Sequence, residues 1–421
     1  MLSMEQALAT LLAQARPLTD TEMVDTLSAH GRVLAAPVRS TLDVPPMDNT
    51  SMDGYAVRCA DVPKPGARLK VTQRIAAGTI GEPLAAGTAA RIFTGAMVPA
   101  GADAVVMQEQ CSAEKTVDGD FVTVNHTPAP GEWIRRRGDD IRAGSEILGA
   151  GARLTPQACG LAASVGLKAL TVTRRLKVAV FFTGDELAMP GEPLKPGAIY
   201  NSNRFMLRGL IESLGCTLTD FGIVRDTLEA TRETLRAAAK DHDLIITTGG
   251  VSVGEEDHVR PAVEAEGQID LWQIAIKPGK PLAHGRVRRL GAGTSAGTST
   301  GESTEKSGAV DFIGLPGNPV SAFVTFLLFV RPFILRCQGV QDVALHALPL
   351  AAGFDWPKPD RRREFLRARV NVIGKLELFP NQSSGVLTST VWGDGLIDNP
   401  AGQAIKRGDV VQFLPFSELL K

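Results

Sequence analysis

The chain carries a glycine turn in polar company, Thr247-Thr248-Gly249-Gly250-Val251-Ser252-Val253-Gly254, directly behind the apolar run Leu244-Ile245-Ile246. Adjacent glycines let the backbone turn sharply and close on an anion with its own N–H groups. Three further segments bring matching chemistry. Thr183-Gly184-Asp185-Glu186 offers two carboxylates, to which the continuation of the glycine turn, Glu255-Glu256-Asp257, adds three. Lys277-Pro278-Gly279-Lys280-Pro281 places two ammonium groups around a Pro-Gly turn. Gly314-Leu315-Pro316-Gly317-Asn318-Pro319 opens a helix, where backbone donors and the helix dipole favour anions. Carboxylates beside lysines and N–H donors suit phosphates, an oxyanion and a hard cation such as Mg²⁺. Two more polar turns stand far away in sequence, Asp53 in Met52-Asp53-Gly54 and Thr94 in Phe93-Thr94-Gly95. Chemistry alone gives them no role beyond a hairpin turn.

The elements that must hold these groups follow from apolar periodicity. Residues 176–338 alternate strand and helix: strands at 176–182, 217–224, 244–247, 271–276 and 312–315, with helices at 202–214, 228–240, up to about 265, and 319–337. That is a doubly wound α/β domain, and all four polar segments follow strands, at the edge where such sheets bind ligands. Residues 3–38 read as largely helical, with Ser3 as N-cap. A helix returns at 155–165, capped by Thr155 with Pro156 in its first turn, and is expected to pack on the N-terminal one. Between them residues 44–141 lose the helical period and become short strands rich in Gly and Pro. The expected organisation is a helical region (1–43 and 142–175) with an inserted β lobe (44–141), the α/β domain (176–338) and a small C-terminal β domain (339–421). The Gly/Ser/Thr-rich stretch at 291–308 is expected to be a flexible loop.

Bulk composition narrows the class. The 421 residues, 44% hydrophobic and 22% charged, describe an ordinary globular chain of roughly two to four domains. A net charge of -1 argues against nucleic-acid binding, and the clusters Arg135–Arg137 and Arg361–Arg363 read as solvated patches. The five cysteines form no CxxC pair and fit a reducing compartment. The opening Met1-Leu2-Ser3-Met4-Glu5 has no basic region or long apolar core, and the apolar run at 323–330 is too short for a bilayer. A cytoplasmic protein without membrane or nucleic-acid partners is the expectation.

Taken together and in order, these motifs resemble the molybdopterin molybdenumtransferase (MoeA) family, related to the E domain of gephyrin. The resemblance rests on Asn49-Thr50-Ser51-Met52-Asp53-Gly54-Tyr55-Ala56-Val57, Arg91-Ile92-Phe93-Thr94-Gly95-Ala96, Thr183-Gly184-Asp185-Glu186-Leu187, Thr248-Gly249-Gly250-Val251-Ser252, Lys277-Pro278-Gly279-Lys280-Pro281, Leu315-Pro316-Gly317-Asn318-Pro319-Val320-Ser321 and Arg362-Arg363-Glu364-Phe365-Leu366-Arg367. It implies an enzyme that inserts molybdenum from molybdate into adenylylated molybdopterin with release of AMP, dependent on Mg²⁺. It implies a homodimer whose site lies between one subunit's α/β domain and the partner's β lobe. Molybdopterin adenylyltransferase and molybdoenzyme apoproteins are the further partners it suggests.

Carried over by motif, Asp53, Glu186 and Asp257 are expected to handle metal or activate water, with Thr94 as a supporting hydroxyl. Asp226 and Asp140 are further carboxylates of the same region. Lys277 and Lys280 are expected to neutralise phosphate or molybdate, Gly249, Gly250 and Ser252 to line the ligand, and Pro316 and Pro319 to shape the opposite wall. Two features depart from the pattern: Gln273 stands where relatives can carry a lysine, and the 291–308 stretch lengthens a connection. The rivals are a molybdopterin adenylyltransferase or CinA-type enzyme on the same α/β module, and a non-catalytic gephyrin-like scaffold.

Overall fold

A computed structural model describes residues 1–250, 258–289 and 308–420. Ser252 and Asp257 fall outside the described residues, as does the expected loop at 291–308 but for Gly308.

The central sheet runs in the order Thr217–Val224, Lys177–Thr183, Leu244–Thr248, Ala309–Leu315, Pro281–Arg288, Gly267–Gln273. The first four strands are parallel, and the last two form an antiparallel edge. Strand alternation sorts side chains to two faces. Val178, Val180 and Phe182 pack with Leu207, Ile211 and Phe323 on one face. Ala179 and Phe181 pack with Leu235, Ala238 and Ala262 on the other. The strand at Pro281–Arg288 has no counterpart in the sequence reading, because its pairing partner is set by tertiary contact rather than by local pattern.

Helix ends follow local capping chemistry. Ser3 and Gln6 form a reciprocal capping box at the start of Met4–Gln14. Thr155 caps Pro156–Ser164, and Thr227 caps Leu228–Asp241. Asn201, rather than Ser202, caps Ser202–Ser213 by accepting from Arg204 N.

The expectation of helix through residue 38 fails. The helix stops at Gln14, and Thr21–Asp25 is a strand paired antiparallel with Ala169–Thr173. Pro17 and Pro37 break the period, and the new partner lies far off in sequence. The two helices also do not pack together. Met4, Ala7 and Leu11 bury against the long apolar helix spanning Pro319–Cys337, while Ala162 of Pro156–Ser164 sits with Ala29, Leu34, Leu154 and Leu170. The helix at Pro319–Cys337 is long and apolar enough to cross a membrane, but 89% of its apolar window is buried inside the fold, as a core helix. Residues Phe326–Val330 within it are π-helical.

The β lobe is a six-stranded sheet ordered Ala104–Met107, Gly54–Val57, Thr88–Ile92, Ala67–Ile75, Gly119–Val124, Cys111–Thr116. Paired bonds between Val44 and Ile141 close its base. The C-terminal sheet runs Ile276–Lys277, Arg363–Val370, Gly395–Asn399, Val410–Pro415, Leu348–Ala351, with Leu376–Leu378 beside Arg363–Val370. Its first strand is borrowed. Ile276 and Lys277 leave the α/β sheet and pair in parallel with Arg363 and Glu364.

Candidate active site

A cavity of about 500 Å³ opens at the C-terminal rim of the parallel strands, where it meets the C-terminal domain. Its size is that of a small-molecule pocket. Gly249 and Gly250, at φ 83° and 61°, line one side with backbone no other residue adopts easily. A β-carbon on Gly249 would also sit 3.2 Å from Thr183 O. Pro316, Gly317, Asn318 and Ser321 form a second side. Lys277 to Pro281 form the floor, and Arg362, Gln382, Ser383 and Ser384 of the C-terminal domain close it. The lining is therefore three cations with hydroxyls, amides and backbone donors, a set that takes an oxyanion.

The cations are not equivalent. The Lys277 ammonium lies 3.4 Å from both Asp360 Oδ2 and Glu364 Oε1. Glu364 is fully buried and accepts also from Trp356 Nε1 at 2.8 Å. Arg362 grips Asp360 with two bonds of 3.0 and 3.1 Å. That grip, helped by the Arg362 backbone N–H and by Lys277, holds the Asp360 carboxyl far below the usual carboxylate range. Lys280 is exposed and makes no ion pair among the described residues. The loop carrying both lysines is seated by close packing. Gly279, at φ 107°, would meet Thr325 Oγ1 at 2.4 Å if it bore a β-carbon. The Lys277–Pro278 peptide is cis.

The expected residues divide into three groups. Gly249, Gly250, Lys277, Lys280 and Pro316 line the cavity. Pro319 does not line it; it begins the core helix. Glu186 and Asp226 stand apart from the cavity lining, on the loops that follow neighbouring strands. The exposed Glu186 carboxylate lies over Gly184, where a β-carbon would come within 2.5 Å of Oε2. Asp226 accepts from Thr183 Oγ1 at 2.9 Å. Gln273 is exposed at the end of its strand, outside the cavity lining.

Asp53 and Thr94 form the third group, and the fold brings them together despite their separation in sequence. Asp53 Oδ1 accepts from Thr94 Oγ1 at 2.6 Å and from Thr94 N at 2.8 Å. These bonds, with Arg91 nearby, lower the Asp53 carboxyl below its ordinary value, so it stays ionised. The pair sits on the β lobe, and no hydrogen bond or ion pair joins it to the α/β rim among the described residues. Asp140 is exposed near the lobe's base, its N–H bonded to Val44 O. No group of three His, Cys, Asp or Glu converges on a common point among the described residues.

The C-terminal wall is what sequence reasoning missed. Arg361–Arg363 reads in the sequence as a solvated patch, yet Arg362 lines the cavity and Arg363 pairs bidentately with Asp398. The usable signal is the alternation of charge in Asp360-Arg361-Arg362-Arg363-Glu364, too balanced for a repelling surface run. Ser321 and Asn318 lie inside a family motif without an assigned role, and Gln382-Ser383-Ser384 carries no signal beyond small polar residues.

Comparisons with known proteins agree along the whole chain. Residues 2–166 match the MoeA N-terminal region (domain I and II), 179–336 a probable molybdopterin binding domain, and 349–416 the MoeA C-terminal region (domain IV). A molybdopterin molybdenumtransferase of Haemophilus influenzae is 40% identical over 339 residues, covering 80% of this chain and 78% of its own. Molybdopterin molybdenumtransferase 2 of Mycobacterium tuberculosis is 35% identical over 410 residues, 94% of each chain. The crystal structure of a molybdopterin biosynthesis MoeA protein from Pyrococcus horikoshii superposes with a TM-score of 0.80 at 28% identity, covering 99% of this chain and all of that one.

Proposed function

Since this chain belongs to the molybdopterin molybdenumtransferase (MoeA) family and is thus a transferase of molybdenum cofactor biosynthesis, we propose that it uses the rim cavity to bring molybdate to adenylylated molybdopterin. Molybdenum enters the dithiolene and AMP leaves. The observation that carries this reading is the cavity lining. Lys277, Lys280 and Arg362 line one cavity with Ser321, Ser383 and Ser384 as hydroxyl donors. A tetrahedral dianion needs that combination of charge and short donors. The Gly249–Gly250 turn on the adjoining side offers backbone to the phosphate end of the nucleotide–pterin ligand.

Mg²⁺ suits the carboxylates left at the rim. It binds through one or two carboxylates plus substrate phosphates and water rather than through a full protein cage, which fits a rim without a three-ligand cluster among the described residues. Glu186 and Asp226, with Asp257 and a partner's Asp53 as sequence candidates, would hold it, and it would supply charge neutralisation for the departing phosphate. A homodimer places the ionised Asp53–Thr94 pair of one subunit at the rim of the other. The exposed apolar residues Ile199, Tyr200 and Phe205 are consistent with a covered surface next to that rim. A cytoplasmic setting accords with five free thiols.

The test is molybdate-dependent release of AMP from purified adenylylated molybdopterin. Turnover that requires both molybdate and Mg²⁺ is expected. Consumption of ATP to adenylylate molybdopterin, with no molybdate-dependent AMP release, would move the chain to the adenylyltransferase reading; binding without any turnover would make it a scaffold.

A further inference from the structure

Two glycine turns meet on adjoining sides of the cavity, and neither glycine has a side chain to hold it against the other. A β-carbon on Gly317 would touch Gly249 Cα at 3.7 Å, so the turns are in near contact. The strands behind them pair in parallel as far as Thr248 and Leu315, and Gly249 N donates to Leu315 O at 3.1 Å just beyond the last pair. Glycine against glycine offers little resistance to sliding. Beyond the end of that ladder, a side-chain brace comes from a residue outside the cavity lining. Asn203, the second residue of Ser202–Ser213, donates from Nδ2 to Gly317 O at 2.7 Å and to Thr248 Oγ1 at 3.3 Å. One amide thus ties the last residue of Leu244–Thr248, next to Gly249, to the turn that follows Ala309–Leu315.

The choice of asparagine makes little sense for stability alone. Asn203 is 8% exposed, and its Oδ1 is buried without a hydrogen-bond partner among the described residues. An orphaned buried carbonyl is costly, and asparagine is a weak helix former. A leucine on this apolar face, beside Leu207 and Leu210, would stabilise the helix better. What leucine lacks is the pair of donors.

We infer that Asn203 is a positioning residue that holds the Gly249–Gly250 turn, given above to the nucleotide–pterin ligand, in register with the Pro316–Asn318 wall of the same cavity. The inference rests on the proposed function, since it places both ligands in the one cavity that these two turns line. Its consequence is specific. Each ligand still binds when the brace is cut, but the two no longer meet in register. A misplacement of about 1 Å between reacting groups costs on the order of a hundredfold in rate.

The experiment compares full-length wild type, Asn203→Ala and Thr248→Val. Molybdate alone and AMP alone are titrated by calorimetry, and turnover is followed as AMP release. Asn203→Ala should keep both single-ligand affinities within about threefold while kcat falls roughly ten- to a hundredfold. Thr248→Val, which removes only the longer of the two bonds, should lower kcat by a smaller factor, about three- to tenfold. A merely structural role would lower binding stoichiometry and turnover together, and that result overturns the inference. So does Asn203→Ala with kcat within twofold of wild type. If Asn203→Ala does not fold, Thr248→Val decides, and wild-type kcat there overturns the inference. Failure of the functional reading looks different: wild type itself would then show no molybdate-dependent AMP release.

Discussion

Lys277 and Lys280 share one short loop, yet replacing each by alanine should leave a different signature. Lys280 has no ion pair among the described residues, so its charge is available to a ligand. Removing it deprives a bound oxyanion of one charge-assisted contact, a loss of about 1.5–3 kcal/mol. At about 1.4 kcal/mol per decade, the molybdate concentration for half-maximal rate should rise roughly ten- to a hundredfold. No buried partner is stranded, so stability should change by less than about 0.5 kcal/mol. Lys277→Ala differs, because the fully buried Glu364 loses the cation at 3.4 Å. A fully buried ion pair stripped of one partner costs about 3–5 kcal/mol. The Lys277 side chain is 40% exposed, however, and Trp356 and Asn399 still bond Glu364, so the loss here is about 1–2 kcal/mol. Lys277→Ala should therefore weaken molybdate use and lower the melting temperature by several degrees, whereas Lys280→Ala does only the first. The assay is a molybdate titration of AMP release, with calorimetric melting of the same samples. A correctly folded Lys280→Ala protein with wild-type molybdate dependence refutes the oxyanion assignment. A Lys277→Ala protein that melts with wild type refutes the buried latch.

Other outcomes follow from the same geometry. Asp53→Ala and Glu186→Ala should each be inactive, and mixing them under confirmed subunit exchange should restore part of the activity; no recovery would place the whole site in one subunit. Gly279→Ala should destabilise by about 1–3 kcal/mol and impair molybdate use, since its β-carbon would meet Thr325 Oγ1 at 2.4 Å from a left-handed backbone; melting and the molybdate titration together check this. The Asp360 carboxyl, held by Arg362 below its ordinary value of 3.8, contributes stability that is full above that value and is lost as pH falls through the lower folded one. Acid unfolding of wild type should therefore steepen below about pH 4, and Asp360→Asn should flatten that limb; identical acid limbs would remove Asp360 from it.

The local layer of this structure is readable from residues. Glycines at 249 and 250 need positive φ, Ser3 and Thr155 need to cap, and the run Val178-Ala179-Val180-Phe181-Phe182 declares a strand buried on both faces. Partnership is not readable. The apolar stripe Met4-Ala7-Leu11 says that a helix must bury a face, but not that the face belongs on Pro319–Cys337 rather than on Pro156–Ser164. The same gap hides Thr21–Asp25, whose strand character exists only because Ala169–Thr173 pairs with it. Asp53 and Thr94 show the converse case. Their turns are visible in the sequence, while their 2.6 Å bond requires strands 54–57 and 88–92 to be neighbours. The C-terminal wall of the cavity is hidden for a related reason: a balanced charge cluster becomes a binding surface only when another domain's lysines arrive beside it.

The strand that the α/β domain lends to the C-terminal sheet also sets a schedule. Residues 273–277 are gripped on one side by Leu2, whose N–H and carbonyl bond Gln273 and Ala275, and on the other by Arg363, whose N–H bonds Ala275 O. Lys277 waits for Glu364, 87 residues further on. At about 5–20 residues per second, a ribosome needs on the order of ten seconds to supply that partner. The sheet can close on its own apolar faces during that interval, but the lysine loop has only one of its two grips. The nascent chain thus holds its parallel sheet before its anion trap, and capacity for the ligand arrives only with the domain that carries Arg362 and Glu364.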